Sequence, residues 1–160
     1  MSALCLQLVV LTSVRSGEAL KATWDEFDRA SEMWIIPASR TKTGKEHRIP
    51  LSPIALRVLE RAAAMRQNEF VFPGVQSGKP MSDMALTMLL RGMCPGITVH
   101  GFRSTFRDWV AEKTTHANEL AEMALGHSIG SAVEAAYRRG DMFERRRQLM
   151  NDWADWLLPP

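Results

Sequence analysis

Two cysteines in 160 residues, Cys5 and Cys94, form no CxxC pair and no Cys/His ligand spacing. Their scarcity excludes a disulfide framework or a zinc knuckle and makes a reducing cytoplasm the expected compartment. Long hydrophobic runs are also missing. The apolar start, Ala3 to Leu11, is interrupted by Gln7, is too short to span a bilayer, and lacks the basic leader and cleavage site of a signal peptide. No membrane association is expected. Charge of one sign is lacking too: 20 Lys and Arg against 18 Asp and Glu leave a formal +2, which as a total names no partner. No internal repeat, low-complexity tract or linker divides the chain, so a single domain over 1–160 is expected. The scarcest residue is tyrosine, present once, at position 137, beside five tryptophans and six phenylalanines.

What is present is globular. The hydrophobic fraction of 46% and charged fraction of 24% exclude wholesale disorder, and the length is enough to bury a core. Residues 3–14 mix Leu and Val with small residues and read as a buried helix. Ser16 is a candidate N-cap for a short second helix to about Ala22, with Glu18 in its first turn. The period then changes. Trp24 to Phe27, Met33 to Pro37 and Glu46 to Pro50 are short, aromatic or β-branched, and separated by polar turns. They predict a small antiparallel sheet with Thr43-Gly44-Lys45 at one hairpin tip.

Helices follow. Ser52-Pro53 is an N-cap and N1 proline, ahead of Ile54, Ala55, Val58, Leu59, Ala62 and Met65 at helical spacing. Ser82 predicts the start of another helix through about Arg91, broken by Cys94-Pro95-Gly96. His100 opens a helix carrying Phe102, Phe106, Trp109 and Val110. Helices near 118–125 and 130–139 flank Gly126 to Gly130, and a last one over about 142–157 stripes Met142, Leu149, Trp153 and Trp156. The fold class expected is mainly α with a small antiparallel β-sheet.

The chemistry-bearing residues come in a definite order. Metal-free cleavage of a phosphodiester needs a nucleophile, cationic donors for the non-bridging oxygens and an acid for the leaving oxygen. Arginine suits the donor role because its planar guanidinium stays charged and grips phosphate in a bidentate way. Tyrosine suits a nucleophile whose product must survive and revert, and a hairpin lysine suits the acid. Arg15 stands in Leu11-Thr12-Ser13-Val14-Arg15-Ser16-Gly17-Glu18. Lys42 stands in Arg40-Thr41-Lys42-Thr43-Gly44, ahead of His47-Arg48-Ile49-Pro50-Leu51. His100-Gly101-Phe102-Arg103, then Leu125-Gly126-His127, then Ala135-Ala136-Tyr137-Arg138-Arg139 complete the series.

In this order the sequence resembles the catalytic domain of a tyrosine recombinase of the phage-type or genomic-island integrase kind, from about Leu8 to Trp156. Each motif alone is weak; five in order with the lone tyrosine in the nucleophile slot are specific. The resemblance implies the integrase catalytic-domain fold and a 3′-phosphotyrosyl intermediate. Tyr137 is the implied nucleophile, and Arg15 and Arg103 the phosphate donors. His100 assists proton transfer, His127 donates to the phosphate, Lys42 protonates the leaving 5′-oxygen, and Glu18 supports the site. No ATP, metal or other cofactor is implied, since the phosphotyrosine conserves bond energy.

The implied partner is double-stranded DNA, bound as a homotetramer in a full-length protein, while a fragment of this length is expected to be a monomer. His47, Arg138, Arg139 and Arg145 are candidate DNA contacts. The arginines around 138–147 read equally as a solvated face neutralised by Asp141 and Glu144, and His116 reads as a solvated loop residue. The Trp153–Trp156 stripe reads as core or subunit packing. Core-binding and arm-binding domains do not fit in the 14 residues before Arg15, so weak and strongly salt-dependent DNA binding is expected. Two rivals remain: a catalytically silent integrase remnant that only binds DNA or a partner, and a type IB topoisomerase-like relaxing enzyme.

Overall fold

A computed structural model of the chain describes residues 1–127 and 140–158. Its first helix, α1 (Ser2–Thr12), buries Leu4, Cys5, Leu6, Leu8, Val9, Leu11 and Thr12. A helix apolar on nearly every side belongs inside a core, and α1 is packed by later elements on several faces. It ends at Ser13, whose φ of 53° is the left-handed C-cap conformation. Arg15, in extended geometry, caps α2 (Ser16–Leu20). The expected cap at Ser16 therefore moves back one residue. The reason is Glu18, whose Oε2 reaches back to accept from the Arg15 backbone N–H at 2.9 Å.

Three strands follow, β1 (Phe27–Asp28), β2 (Met33–Ile36) and β3 (His47–Pro50), paired antiparallel in the order β1-β2-β3. Trp34 faces Phe27 on one side and Ile49 on the other, and Ile36 faces His47. The first strand is shorter than the sequence suggests, because Trp24–Glu26 closes into a 3₁₀ turn. Glu26 points inward there, where it accepts from the Trp34 indole N–H and the Arg40 guanidinium, each at 2.9 Å. A buried carboxylate with two donors outweighs the strand preference of the aromatic run. At the tip of the β2–β3 connection Gly44 takes φ 66° and Thr41 Oγ1 donates to the Lys45 carbonyl at 2.8 Å.

Helix α3 (Pro53–Ala63) starts as expected, with Ser52 Oγ accepting from Ala55 N–H at 3.3 Å. It buries Ala55, Val58, Leu59 and Ala62 but stops before Met65, which is exposed. Helix α4 (Ala85–Met93) begins two residues later than a cap at Ser82 predicts, since Ser82 opens a turn in which its carbonyl takes the Ala85 N–H. Helices α5 (Gly101–Lys113), α6 (Asn118–Ala124) and α7 (Phe143–Leu157) complete the described residues. The helix expected over 130–139 lies outside them. Among the described residues no helix is long and apolar enough to cross a membrane.

The core has two adjoining parts. One joins α1, the sheet, α3 and α4; the other joins α5, α6 and α7 around Phe106, Trp109, Leu120, Leu149 and Trp153. The Trp153 indole N–H donates to the Val10 carbonyl at 2.9 Å, bridging α7 to α1. Mostly helical with a three-stranded antiparallel sheet, the architecture matches the expected class.

Candidate active site

Arg103 sits in the first turn of α5, yet only 5% of it is exposed. Three groups from two distant parts of the chain meet its guanidinium. Nη1 donates to the Ser13 carbonyl, Nη2 donates to the Leu125 carbonyl at 2.7 Å, and Nη2 lies 3.2 Å from His127 Nε2. The left-handed turn at Ser13 aims that carbonyl. Burial, then the nearby Arg15 cation, pull the Arg103 pKa down to about 10, so it stays charged at neutral pH. Both effects penalise the cation, and a bound anion would relieve both.

Arg15 projects from the same α1–α2 corner. Its Nη1 lies 3.3 Å from Glu18 Oε1, and its side chain is about a quarter exposed. Glu18 is buried; it completes the capping box of α2 from the third helical position and is the counter-charge that holds the Arg15 guanidinium in place.

His127 arrives through the end of α6. Gly126 takes φ 64°, with Gly126 N–H bonded to Met123 O and His127 N–H to Glu122 O, the Schellman pattern that ends helices at glycine. That turn folds His127 back so that Nδ1 meets Glu122 Oε2 at 2.7 Å while Nε2 faces Arg103. Burial alone would raise the Glu122 carboxyl; hydrogen bonds from Arg107 and His127 overcome it and hold the group below its usual range. Glu122 was not visible as a site residue in the sequence, because a five-residue separation across a helix end belongs to no helical face.

His47, at the start of β3, packs against the same turn. A Cβ on Gly126 would come within 3.1 Å of two imidazole atoms and 3.6 Å of Arg15 Nη1. Arg15, Glu18, Arg103, His127 and His47 are thus brought together. Lys42 is exposed on the β2–β3 connection and lines, with Arg15, Lys21, Arg40 and Thr41, one groove of about 490 Å³. His100 is exposed at the N-terminus of α5, one turn before Arg103, with no side-chain capping bond. Tyr137, Arg138 and Arg139 lie outside the described residues.

His47 is half-buried against Gly126, and its Nε2 has no partner among the described residues. Two expectations about charge change. Within the basic cluster only Arg145 is free of ion pairs among the described residues, being exposed beside Met142 Sδ. Arg146 and Arg147 pair with Asp141, Glu32 and Glu144. His116 is likewise no simple solvated residue, since its Nε2 meets Asp152 Oδ2 at 2.7 Å.

Residues 1–143 match the phage integrase family. The chain belongs to that family. It is 36% identical to prophage integrase IntA of Escherichia coli K12 over 97% of this chain and 38% of that protein. With the integrase of Enterobacteria phage P4 it shares 33% identity over 98% of this chain and 40% of that protein. The chain therefore spans about two fifths of the length of these relatives. Among solved structures, its fold is similar to that of XerH, a site-specific recombinase bound to difH substrate in a pre-cleavage complex. The TM-score is 0.63 at 19% identity, over 86% of this chain and 45% of that one. The Phe106–Trp109–Trp153 core and the Arg103 cradle are thus described on an integrase-family scaffold.

The half-buried His47 imidazole makes a pH prediction for this integrase-family chain. Burial first, then Arg146, lower the His47 pKa from 6.5 to about 4, with Arg15 and Arg103 adding to the effect and the Met123 carbonyl opposing it. The unfolded chain then binds a proton that the folded chain refuses between those values. His47 therefore costs no stability above about pH 6.5 and removes about 2 to 3 kcal/mol as pH falls toward 4. Denaturant unfolding of the parent and of His47→Gln at pH 7.5 and 4.5 measures this. The variant is expected to lose less stability on acidification, and an equal loss in both proteins would refute the assignment.

Proposed function

We propose that this chain carries the strand-cleaving and rejoining site of a site-specific DNA recombinase. The observation that supports it most is the convergence of Arg15 and Arg103 beside His127, the Arg15 cation penalising that of Arg103, with Glu18 the one carboxylate paired to either guanidinium among the described residues. Such a site asks for an anion, and family membership makes a DNA phosphodiester the fitting one. The Tyr137 oxygen attacks phosphorus, the 5′-oxygen leaves, and the 3′-phosphate stays on Tyr137. Arg15 and Arg103 hold the non-bridging oxygens as charge builds in the pentacoordinate transition state. His127 donates to the same phosphate, His100 assists the tyrosine proton, and Lys42 delivers a proton to the departing 5′-oxygen. Glu18 fixes Arg15. Attack by a 5′-hydroxyl reverses the sequence and joins the new strand, with no cofactor consumed. The relevant assembly is a homotetramer on double-stranded DNA in the cytoplasm, with His47 backing the phosphate pocket and Arg138, Arg139 and Arg145 available to flanking backbone.

Incubation with a pool of nicked duplexes of random sequence tests the reading. The chain is expected to form an SDS-resistant protein–DNA adduct, and Tyr137→Phe to form none. An adduct that survives in Tyr137→Phe removes the nucleophile assignment. Salt-dependent DNA binding without any adduct points instead to the silent remnant.

A further inference from the structure

The α7 arginine most deeply withdrawn from solvent is Arg146, at 2% exposure, and each of its three guanidinium nitrogens donates a hydrogen bond. Nε donates to the Asp141 carbonyl at 2.7 Å, Nη2 to Asp141 Oδ2 at 2.6 Å, and Nη1 to the Arg48 carbonyl on β3 at 2.6 Å. Arg48 closes the arrangement from the strand side, its Nη1 3.5 Å from the same Asp141 carboxylate. Phe143 lies under all three guanidinium groups of Arg48, Arg146 and Arg147, 4.7 to 5.6 Å from its ring centre. Between these contacts the backbone is unusual: Gly140 takes φ 134° and Met142, a non-glycine residue, φ 51°.

Burying a guanidinium costs solvation that an apolar side chain would not lose. Here the charge ties a bent stretch of chain to one strand, and non-glycine positive φ persists only where surroundings over-determine it. Two features give the tie a purpose. Asp141 follows Tyr137 by four positions in sequence. Strand β3, the anchor, is the strand whose first residue, His47, abuts Gly126 and Arg15.

We infer that Asp141 and Arg146 are positioning residues that fix the chain just beyond Tyr137 to the strand supporting the arginine pocket. The inference rests on the proposed strand-cleavage reading and adds to it the device that sets where the nucleophile-bearing segment leaves the site. Asp141 and Arg146 touch no phosphate in this role. Their loss therefore separates chemistry from binding: DNA affinity persists while the rate of the bound complex falls.

The experiment compares the parent chain with Asp141→Asn, Arg146→Met, Arg146→Lys and Asp141→Glu on the nicked duplex pool. Three quantities are read: adduct rate at saturating DNA, affinity for the pool by fluorescence anisotropy, and thermal midpoint. Asp141→Asn and both Arg146 variants are expected to lower the saturated adduct rate about tenfold or more, the loss from displaced reacting groups. Affinity is expected to stay within about twofold, since no phosphate contact is removed. Arg146→Met also leaves the Asp141 carboxylate and the Asp141 and Arg48 carbonyls without their donor, so its midpoint is expected to fall, and it is retained DNA affinity that shows the variant folded. Asp141→Glu, which keeps the carboxylate, is expected to recover part of the rate. Saturated rates equal to the parent's in Asp141→Asn and Arg146→Met overturn the inference. So does a parallel fall of rate, affinity and midpoint, which marks a plain structural role. Failure of the recombinase reading looks different: the parent itself yields no adduct, or Tyr137→Phe yields the same one.

Discussion

Replacing Arg103 with methionine is expected to lower covalent adduct formation by about 100- to 1,000-fold, the range found when one preorganised donor to a developing oxyanion is removed. The same substitution carries a second cost that Arg15→Met does not. Arg103 is held by the Ser13 and Leu125 carbonyls, and methionine leaves both as buried acceptors without a donor, at about 1 to 3 kcal/mol each before the recovered solvation of the guanidinium is counted. Arg15 is more exposed and pairs only with Glu18 among the described residues, so its removal frees no buried carbonyl. Both variants should therefore lose the adduct, and Arg103→Met should show the lower thermal midpoint of the two, since Arg15→Met leaves only Glu18 Oε1 short of a partner while Oε2 keeps the Arg15 backbone N–H. Arg103→Lys tests the geometry separately, because one ammonium cannot reach two carbonyls and an imidazole from a single rigid plane. An adduct rate in Arg103→Met within about fivefold of the parent's, against the hundredfold or greater loss argued from oxyanion donors, would show that this guanidinium serves the fold alone.

That double burden explains what sequence could and could not reveal. The order of Arg15, Lys42, His100, Arg103, His127 and Tyr137 is legible because chemistry restricts the residue types and the family order restricts their sequence. The Ser52-Pro53 start of α3 is legible because its signal is local and complete within four residues. The supports are not. Ser13 contributes through a backbone carbonyl, for which any residue able to take φ 53° serves. Glu122 acts across a helix end, and Glu26 abandons a strand for a tertiary pair with Trp34 and Arg40. The dense arginines at 145–147 look alike in sequence, yet Arg146 is buried, Arg147 is ion-paired and Arg145 is exposed. Which arginine meets which carbonyl is decided by how α7 docks on β3, a long-range event that no local pattern encodes.

The docking of α7 supplies the other large effect. Trp153→Ala is expected to cost about 3 to 5 kcal/mol, as for other fully buried large aromatic residues, or roughly 6 to 20 °C in thermal midpoint for a chain of this size. Trp153 has no exposed surface. Its ring lies 5.3 Å from Phe106 edge-on, 5.1 Å from Trp109 and 5.2 Å from Trp156 in a stack, and its indole N–H is the bond to Val10 of α1. Alanine opens a cavity at the centre of the second core and strands that carbonyl. Trp156→Ala is the matched control: half of Trp156 is exposed, so its loss should cost about 1 kcal/mol or less. Denaturant unfolding of the two variants distinguishes them, and equal losses would mean that the Trp153–Trp156 stack, not the seat of Trp153, carries the energy. Because Val10 belongs to the helix that ends at Ser13, Trp153 also steadies the corner that aims a carbonyl at Arg103. A loosened α7 is therefore expected to weaken adduct formation through α1 as well as through the Asp141–Arg146 tie, two routes that start from opposite ends of the same helix.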